Sequence, residues 1–332
     1  MSRTVVALLV AVAVVACSGP AVAPPTQPSC NQGNFADVVE DVAPSVVTVR
    51  PSQGVGSGVV FKSDVVLTNN HVVTNNTEVT IVYADGSASR AAVVAGDPGT
   101  DVAVVRTERK GLTPARFATG PPRPGCPVLA IGSPLGLQNS VTAGVVSGLR
   151  RSIPVSPQGS ALVDLIQTDA PISPGSSGGA LLDTQGQVVG VNEAYIPPEA
   201  GAVSIGFAIP AATAVDVAEQ LLAGHAITHA YLGVSVGELT PSIRDRLGVK
   251  ATRGALVLGV EPGSPAAAAG VRPGDVITRV ADAEVNGVAD LLAALRARKP
   301  GDQVALVVIR GGDQRELKVT LGTQRSPGQS GR

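Results

Sequence analysis

The 332-residue chain has no Trp, one Met, three Tyr and four Phe, so aromatic residues make up only 2% of it. Base-stacking surfaces for nucleic acid need such rings, and here they are nearly missing. No charge of either sign is in excess: 25 Lys and Arg stand against 26 Asp and Glu, a formal net charge of −1. Nothing in that balance neutralises a phosphate backbone, so nucleic acid is excluded as the main partner. A long hydrophobic run is also missing. The apolar stretch Thr4 to Ala16 would span about 20 Å as a helix, short of the ~30 Å bilayer core. What is present is 44% hydrophobic residues, with 39 Gly and 26 Pro. That composition excludes a mostly disordered chain and favours turn-rich folds, and the length suggests about two domains of ~150 residues each.

The apolar stretch follows Met1-Ser2-Arg3 and ends in Val14-Val15-Ala16-Cys17. Its length fits the core of an export signal better than a membrane span. A hydrophobic-small-small-Cys ending resembles the bacterial lipobox, which implies that Cys17 is lipidated and residues 1–17 form a lipoprotein-type signal. The alternatives are an ordinary cleaved signal or an uncleaved anchor, with Cys17 incidental. Each of these places the remainder outside the cytoplasm. Residues 18–34 then read as a Pro-rich tether. With Cys17 on a lipid, Cys30 and Cys126 remain; an oxidising compartment would let them pair, and the alternative is two free thiols.

From about residue 35 the chain shows many short apolar runs separated by Asp-Gly and Gln-Gly turns. Ser45 to Val49, Gly58 to Phe61, Val65 to Leu67, Val79 to Tyr83, Val102 to Val105 and Val128 to Ile131 read as strands. So do Val141 to Val146, Val188 to Val191 and Gly206 to Ile209. Antiparallel barrels or a sandwich follow from this pattern. The first convincing helix is expected after Pro210, with apolar Val215, Ala218, Leu221 and Leu222. Residues 225–229 look like a solvated linker. A second domain is expected over 230–322, with a helix near Val288 to Arg298, and a disordered tail over 323–332.

Three segments carry residue types suited to chemistry. They are Thr68-Asn69-Asn70-His71-Val72-Val73, Asp97-Pro98-Gly99-Thr100-Asp101-Val102-Ala103-Val104, and Gly175-Ser176-Ser177-Gly178-Gly179. A serine hydroxyl needs a base to take its proton, an imidazole is suited to do so near neutral pH, and a carboxylate orients that imidazole. The glycines let the backbone N–H groups of Gly175 and Ser177 converge on one oxyanion. Taken alone, the Gly-Ser-Ser-Gly-Gly run is an ordinary flexible turn. It also fits the nucleophile elbow of α/β-hydrolases, but strand, turn and strand follow it, not a helix. The order His, Asp, Ser is the chymotrypsin order.

The three segments together resemble the HtrA family of extracytoplasmic serine proteases, as do Gly206-Phe207-Ala208-Ile209-Pro210 and the runs 130–134 and 141–147. The resemblance implies a mainly β fold, with a two-barrel chymotrypsin-like domain over 35–224 and a C-terminal PDZ domain. It implies His71 as general base, Asp101 as its orienter in preference to Asp97, and Ser177 as nucleophile, with no metal or other cofactor. Asp169 is expected to bond locally. Two departures, Ser176 for the family's Asn and Ala180 for its Pro, put the resting shape of the catalytic loop in question. Tyr231-Leu232-Gly233-Val234 resembles the carboxylate-binding loop of PDZ domains, which implies capture of hydrophobic C-terminal peptides. Implied substrates are unfolded or damaged polypeptides. A trimer or larger assembly is implied as well, with Phe35 a candidate contact, and so is membrane attachment through the lipid. The rival from another class is a chaperone or scaffold that holds polypeptides without cutting them. The spacing of His225 and His229 would suit a metal on a helix, but they follow a helix-stopping Gly, and the linker reading is preferred.

Overall fold

The structure is a computed structural model that describes residues 34–133, 140–154, 161–195, 204–225 and 227–324. It opens with α1 (Phe35–Val42) and a single 3-10 turn over Ala43–Ser45. Six strands follow: β1 (Val46–Arg50), β2 (Gly56–Lys62), β3 (Val65–Asn69), β4 (Glu78–Val82), β5 (Ala88–Asp97) and β6 (Val102–Thr107). A short helix, α2 (Asn70–Val73), sits between β3 and β4. The six strands close a barrel in the order β1-β2-β3-β6-β5-β4, with β4 returning to pair β1.

A second sheet holds β7 (Arg116–Phe117), β8 (Pro127–Gly132), β9 (Ser140–Pro154), β10 (Ala161–Thr168), β11 (Ala180–Leu182), β12 (Gln187–Tyr195) and β13 (Gly206–Pro210). Its order is β11-β8-β9-β10-β13-β12-β7, and the additional β11–β12 pairing closes the larger part into a second ring. Helix α3 (Ala211–Leu222) follows β13 directly.

Burial explains the continuous apolar runs. In β3 and β6, Val66 and Val105 face the first barrel's interior with Val47, Val49, Val60 and Ile81. Their neighbours Val65, Leu67, Val102 and Val104 face the other way, onto Leu165, Val191, Ile209 and the α3 residues Ala214, Val217, Ala218 and Leu221. Alternate side chains point to opposite faces of a strand, so a strand buried on both sides has no polar alternation. The same split occurs in β8. There Val128 and Ala130 join one cluster, whereas Leu129 and Ile131 join another with Val46, Val59 and α1.

The C-terminal part contains β14 (His229–Tyr231), β15 (Val234–Glu238), α4 (Pro241–Leu247), β16 (Ala255–Val260), α5 (Pro265–Ala268), β17 (Val276–Val280) and β18 (Ala283–Glu284). It ends with α6 (Val288–Arg296), β19 (Gln303–Arg310), β20 (Asp313–Thr320) and β21 (Gly322–Gln324). The main sheet runs β15-β16-β17-β19-β20, and β14 pairs β21. Leu232, Val257, Ile277, Leu291 and Leu306 form its core. Among the described residues no helix is long and apolar enough to cross a membrane.

Several expectations need correction. A helix precedes the strands: Asn34 accepts the Ala36 N–H at 3.1 Å, and Phe35, Val38, Val39 and Val42 pack onto the core beside Leu129 and Ile131. Its valines read equally well as a strand, since a short apolar run has no decisive period. Phe35 is half-buried within this cluster, and its remaining exposed surface is compatible with the expected oligomer contact. Ser45 belongs to the 3-10 turn, not to β1. His229 is a strand residue rather than a solvated linker, and Thr323 and Gln324 pair with β14 instead of starting the tail. Residues 325–332 and residues 1–33, including Cys17 and Cys30, lie outside the described residues. Cys126 is held in a disulfide.

The C-terminal part contains one fully buried carboxylate, Asp275. Arg310 meets both of its oxygens at 2.7 Å, and the Arg272 backbone N–H adds a bond at 2.9 Å. The same carboxylate raises the pKa of Arg310. Breaking such a pair leaves an uncompensated buried charge, so Arg310→Ala should cost about 3–5 kcal/mol. A two-probe urea denaturation checks this; a loss below 1 kcal/mol would show that the pair contributes little.

Candidate functional site

The histidine is presented by a strand that turns into helix. Strand β3 runs inward to Thr68, whose hydroxyl donates to the Ser57 carbonyl at 2.7 Å. The chain then enters α2, where His71 stands with half of its side chain exposed. Asp101, immediately before β6, fixes this turn from the other side. Its Oδ1 accepts the His71 backbone N–H at 2.8 Å, and its Oδ2 accepts Nδ1–H of the ring at 2.6 Å. Its carbonyl accepts the Asn70 N–H and the Asn69 side-chain amide, each at 3.0 Å. Asp101 has φ of 57°, a conformation that costs a non-Gly residue about 1–3 kcal/mol unless its surroundings impose it.

Asp97 takes a different role. Its oxygens accept from the Thr100 N–H and hydroxyl, the Gly99 N–H and His229 Nε2. Asp101, not Asp97, therefore meets His71. Asp169 accepts the Val145 N–H of β9 at 2.7 Å, a bond across 24 residues and not the local one expected. His225 is exposed and His229 is spent on Asp97, so the two histidines form no shared site.

The serine lies in a loop pinned to the first barrel. Gly175 and Gly178 have φ of 95° and 86°. Around them, the Gly178 N–H donates to the Asn192 carbonyl and the Asn192 N–H to the Gly179 carbonyl, each at 2.8 Å. Ser57 of β2 links to the loop twice: its N–H donates to the Ser177 carbonyl at 2.8 Å and its hydroxyl to the Gly175 carbonyl at 2.7 Å. Among the described residues, no hydrogen bond uses the N–H of Gly175 or of Ser177. The Ser177 hydroxyl donates to the Glu193 carbonyl at 2.8 Å, and no bond joins it to His71.

Glu193, on β12, escaped the sequence reading. Its side chain is 6% exposed, and its Oε1 lies 3.9 Å from His71 Nδ1. An acidic residue at the end of an apolar strand run is the one signal the sequence offers, and it does not place that residue beside the histidine. Burial first, and then the Asp101 charge, push its pKa up to about 7. Burial also disfavours the charged form of His71. The hydrogen bond and charge of Asp101, with the charge of Glu193, outweigh it and hold His71 above its ordinary value. The acceptor atoms of His71, Asp101 and Glu193 fall within 4.8 Å of one another. The ring atom facing both carboxyls is already bonded to Asp101, and we assign no metal ligands among them.

The second candidate site lies along β15. This strand pairs only with β16 and so leaves one edge open, with α6 packed nearby. Before it, Tyr231 donates its hydroxyl to Glu261, Leu232 is buried, and Gly233 has φ of 80°. The Gly233 carbonyl accepts the Glu261 N–H at 3.0 Å and the Leu232 carbonyl accepts the Ala266 N–H at 2.9 Å. A side chain at 233 would collide with Ser264 at 2.2 Å. At the far end Glu238 accepts the Val288 N–H at 3.2 Å and so caps α6. An open strand edge beside a helix and a turn of free N–H groups is a geometry that receives an extended peptide end.

Comparison with known proteins finds a domain family over each of the two segments. Residues 56–191 match the trypsin-like peptidase domain family and residues 230–321 the PDZ domain family. Serine protease PepD of Mycobacterium tuberculosis is 39% identical over 331 residues, covering 90% of this chain and 69% of PepD. A probable periplasmic serine endoprotease, DegP-like, of Ectopseudomonas mendocina is 39% identical over 84% of this chain and 59% of its own length. The chain thus spans roughly three-fifths of such relatives. Among solved structures, the HtrA-type protease AlgW with a decapeptide superposes with a TM-score of 0.72 at 32% identity, over 89% of this chain and 100% of that one.

The loop geometry leads to a prediction at Gly178. A Cβ there would lie 2.1 Å from the Ser57 carbonyl and 2.4 Å from the Thr68 hydroxyl. Gly178→Ala should therefore cost more than the about 1–2 kcal/mol of a left-handed residue alone. It should also abolish labelling of Ser177 by a fluorophosphonate. Full labelling with an unchanged denaturation midpoint would show that the loop tolerates a side chain.

Proposed function

The chain belongs to the HtrA family of serine proteases, and from that premise we propose that it is an envelope serine endopeptidase cutting unfolded or damaged polypeptides. The single observation that carries this reading is the Asp101 clamp on His71, set across from a Ser177 loop with two uncommitted N–H groups. In the proposed reaction the Ser177 hydroxyl leaves the Glu193 carbonyl and turns to His71. His71 Nε2 takes its proton as the oxygen attacks the scissile carbonyl, and later returns it to the leaving amine. Asp101 keeps Nδ1 as the protonated ring atom and stabilises the imidazolium. The N–H groups of Gly175 and Ser177 receive the oxyanion, each such donor contributing about 2.7–4 kcal/mol in the transition state. None of these steps requires a cofactor.

The open edge of β15 and the turn 231–234 are proposed to bind hydrophobic C-terminal peptides. PDZ occupancy is proposed to favour the rotated, active Ser177. Residues 1–17 act as a lipoprotein-type signal, with Cys17 as the anchored residue; an unlipidated chain would be periplasmic or secreted. The relatives named periplasmic support an extracytoplasmic place. The disulfide at Cys126 supports an oxidising compartment, with Cys30 its proposed partner. Assembly as a trimer or larger is carried over from the family. A second reading, a chaperone that holds chains without cutting them, is favoured by one observation: Ser177 rests on Glu193 and not on His71.

Digestion of casein by the full chain and by Ser177→Ala separates these readings. Cleavage by the unmodified protein alone is expected, stronger with an added peptide ending in apolar residues. Binding of unfolded chains without cleavage under both conditions would favour the chaperone. The acid limb of kcat/KM follows from His71. Its raised proton affinity keeps it charged to higher pH than a free imidazole, and the charged form is no base. Activity should therefore begin to fall above pH ~6.5 as pH is lowered. A rate that stays flat from pH 8 to 5 would remove His71 from the mechanism.

A further inference from the structure

Glu193 is the feature of this site that the triad does not use. It sits in the interior strand β12, and its carboxyl is 94% removed from solvent by the 6% exposure of its side chain. Buried carboxylates ordinarily meet a cation or several N–H donors. Among the described residues Oε2 has no hydrogen-bond partner. Oε1 faces His71 Nδ1 at 3.9 Å, and the carboxyl lies within 4.8 Å of that of Asp101, itself buried. Two buried carboxylates this close repel unless one of them carries a proton. The titratable groups that act on Glu193 are Asp101, from the turn before β6, and His71, from α2. No cation of Lys or Arg contributes.

We propose that Glu193 is a positioning residue of the catalytic centre, which shares a proton with Asp101 and by losing it changes the basicity of His71. This rests on the reading of His71, Asp101 and Ser177 as the catalytic group. With the proton in place, Glu193 donates to Asp101 and the pair presents one negative charge to the ring. When the Glu193 O–H bond ionises, the proton passes to solvent and two negative charges face Nδ1. The imidazolium is then favoured, and His71 holds its own proton more tightly. His71 and Glu193 therefore lose their last two protons as a coupled pair, in steps that belong to both. The backbone of the same residue accepts the Ser177 hydroxyl, so Glu193 touches both the nucleophile and the base. The sequence places a residue of this kind where a neutral one would leave a single carboxylate behind the histidine.

The test is the pH profile of kcat/KM for the full chain and for Glu193→Gln, which keeps the shape and a donor but cannot ionise. The unmodified protein should show an acid limb spread over two ionisations. The variant should follow a one-proton curve with its midpoint about one unit lower, since a removed neighbouring charge moves a pKa by about 1–3 units. Near pH 6 that displacement raises its activity relative to its own plateau by up to about tenfold. Glu193→Asp retains the charge and should restore a two-step limb. The low-field NMR resonance of the His71 Nδ1 proton should report the same displacement without relying on turnover. Coinciding midpoints in all three proteins, or a Glu193→Gln variant that loses only stability, would overturn the assignment. Cleavage that survives Ser177→Ala would instead overturn the triad reading, leaving the NMR comparison to judge Glu193 by itself.

Discussion

The geometry of the proposed site depends on one residue being held in a conformation it would not choose. Asp101 has a left-handed backbone, and four hydrogen bonds to the His71 turn impose it: two to its carboxylate and two to its carbonyl. With a net value of about 0.5–1.5 kcal/mol each, and more where a carboxylate accepts, those bonds exceed the strain. The result is that the ring and the backbone of His71 are fixed together.

Asp101 is steady because its turn is secured on both sides. Asp97, at the end of β5, gathers the Gly99 and Thr100 N–H groups and receives His229 from β14. Arg296 of α6 donates to the Gly99 carbonyl, and α6 packs against β9 and β10. Burial lowers the pKa of Arg296, while the charges of Asp97 and Asp164 hold it up. The turn that carries Asp101 is thus bonded to β14 and to α6, the helix packed near β15. Elsewhere Ser57 performs a comparable service, tying the Ser177 loop to the first barrel through both its backbone and its hydroxyl. Each half of the site is built by contacts from an element that the chemistry itself never touches.

Much of this was legible in the residues, and the reasons differ by element. His71, Asp101 and Ser177 stood out because their segments combine glycines, small polar residues and strand starts in a fixed order. The strands of the first barrel were legible because β3 and β6 are apolar on both faces. The helix α1 was not, since eight residues rich in valine satisfy two periods at once. Glu193 was not either: nothing in its local segment Val191-Asn192-Glu193-Ala194 says that β12 passes beneath the histidine. Only the closure of the second ring brings it there. The role of His229 was hidden for the same reason, because its partner is 132 residues away.

The resting position of Ser177 is a small energetic matter with a large chemical consequence. Turning the hydroxyl from the Glu193 carbonyl to His71 exchanges one neutral hydrogen bond for another, and each is worth only about 0.5–1.5 kcal/mol net. The two rotamers therefore differ by little, and a ligand need not contribute much to invert their populations. A differential affinity of about 5.5 kcal/mol would drive the equilibrium from 1:99 to 99:1, and a nearly balanced pair needs far less. The loop replaces the family's Asn by Ser176, which is buried and donates its backbone N–H to Ser173. That substitution leaves His71, Asp101 and the Ser177 hydroxyl in place, and the hydroxyl points to the Glu193 carbonyl.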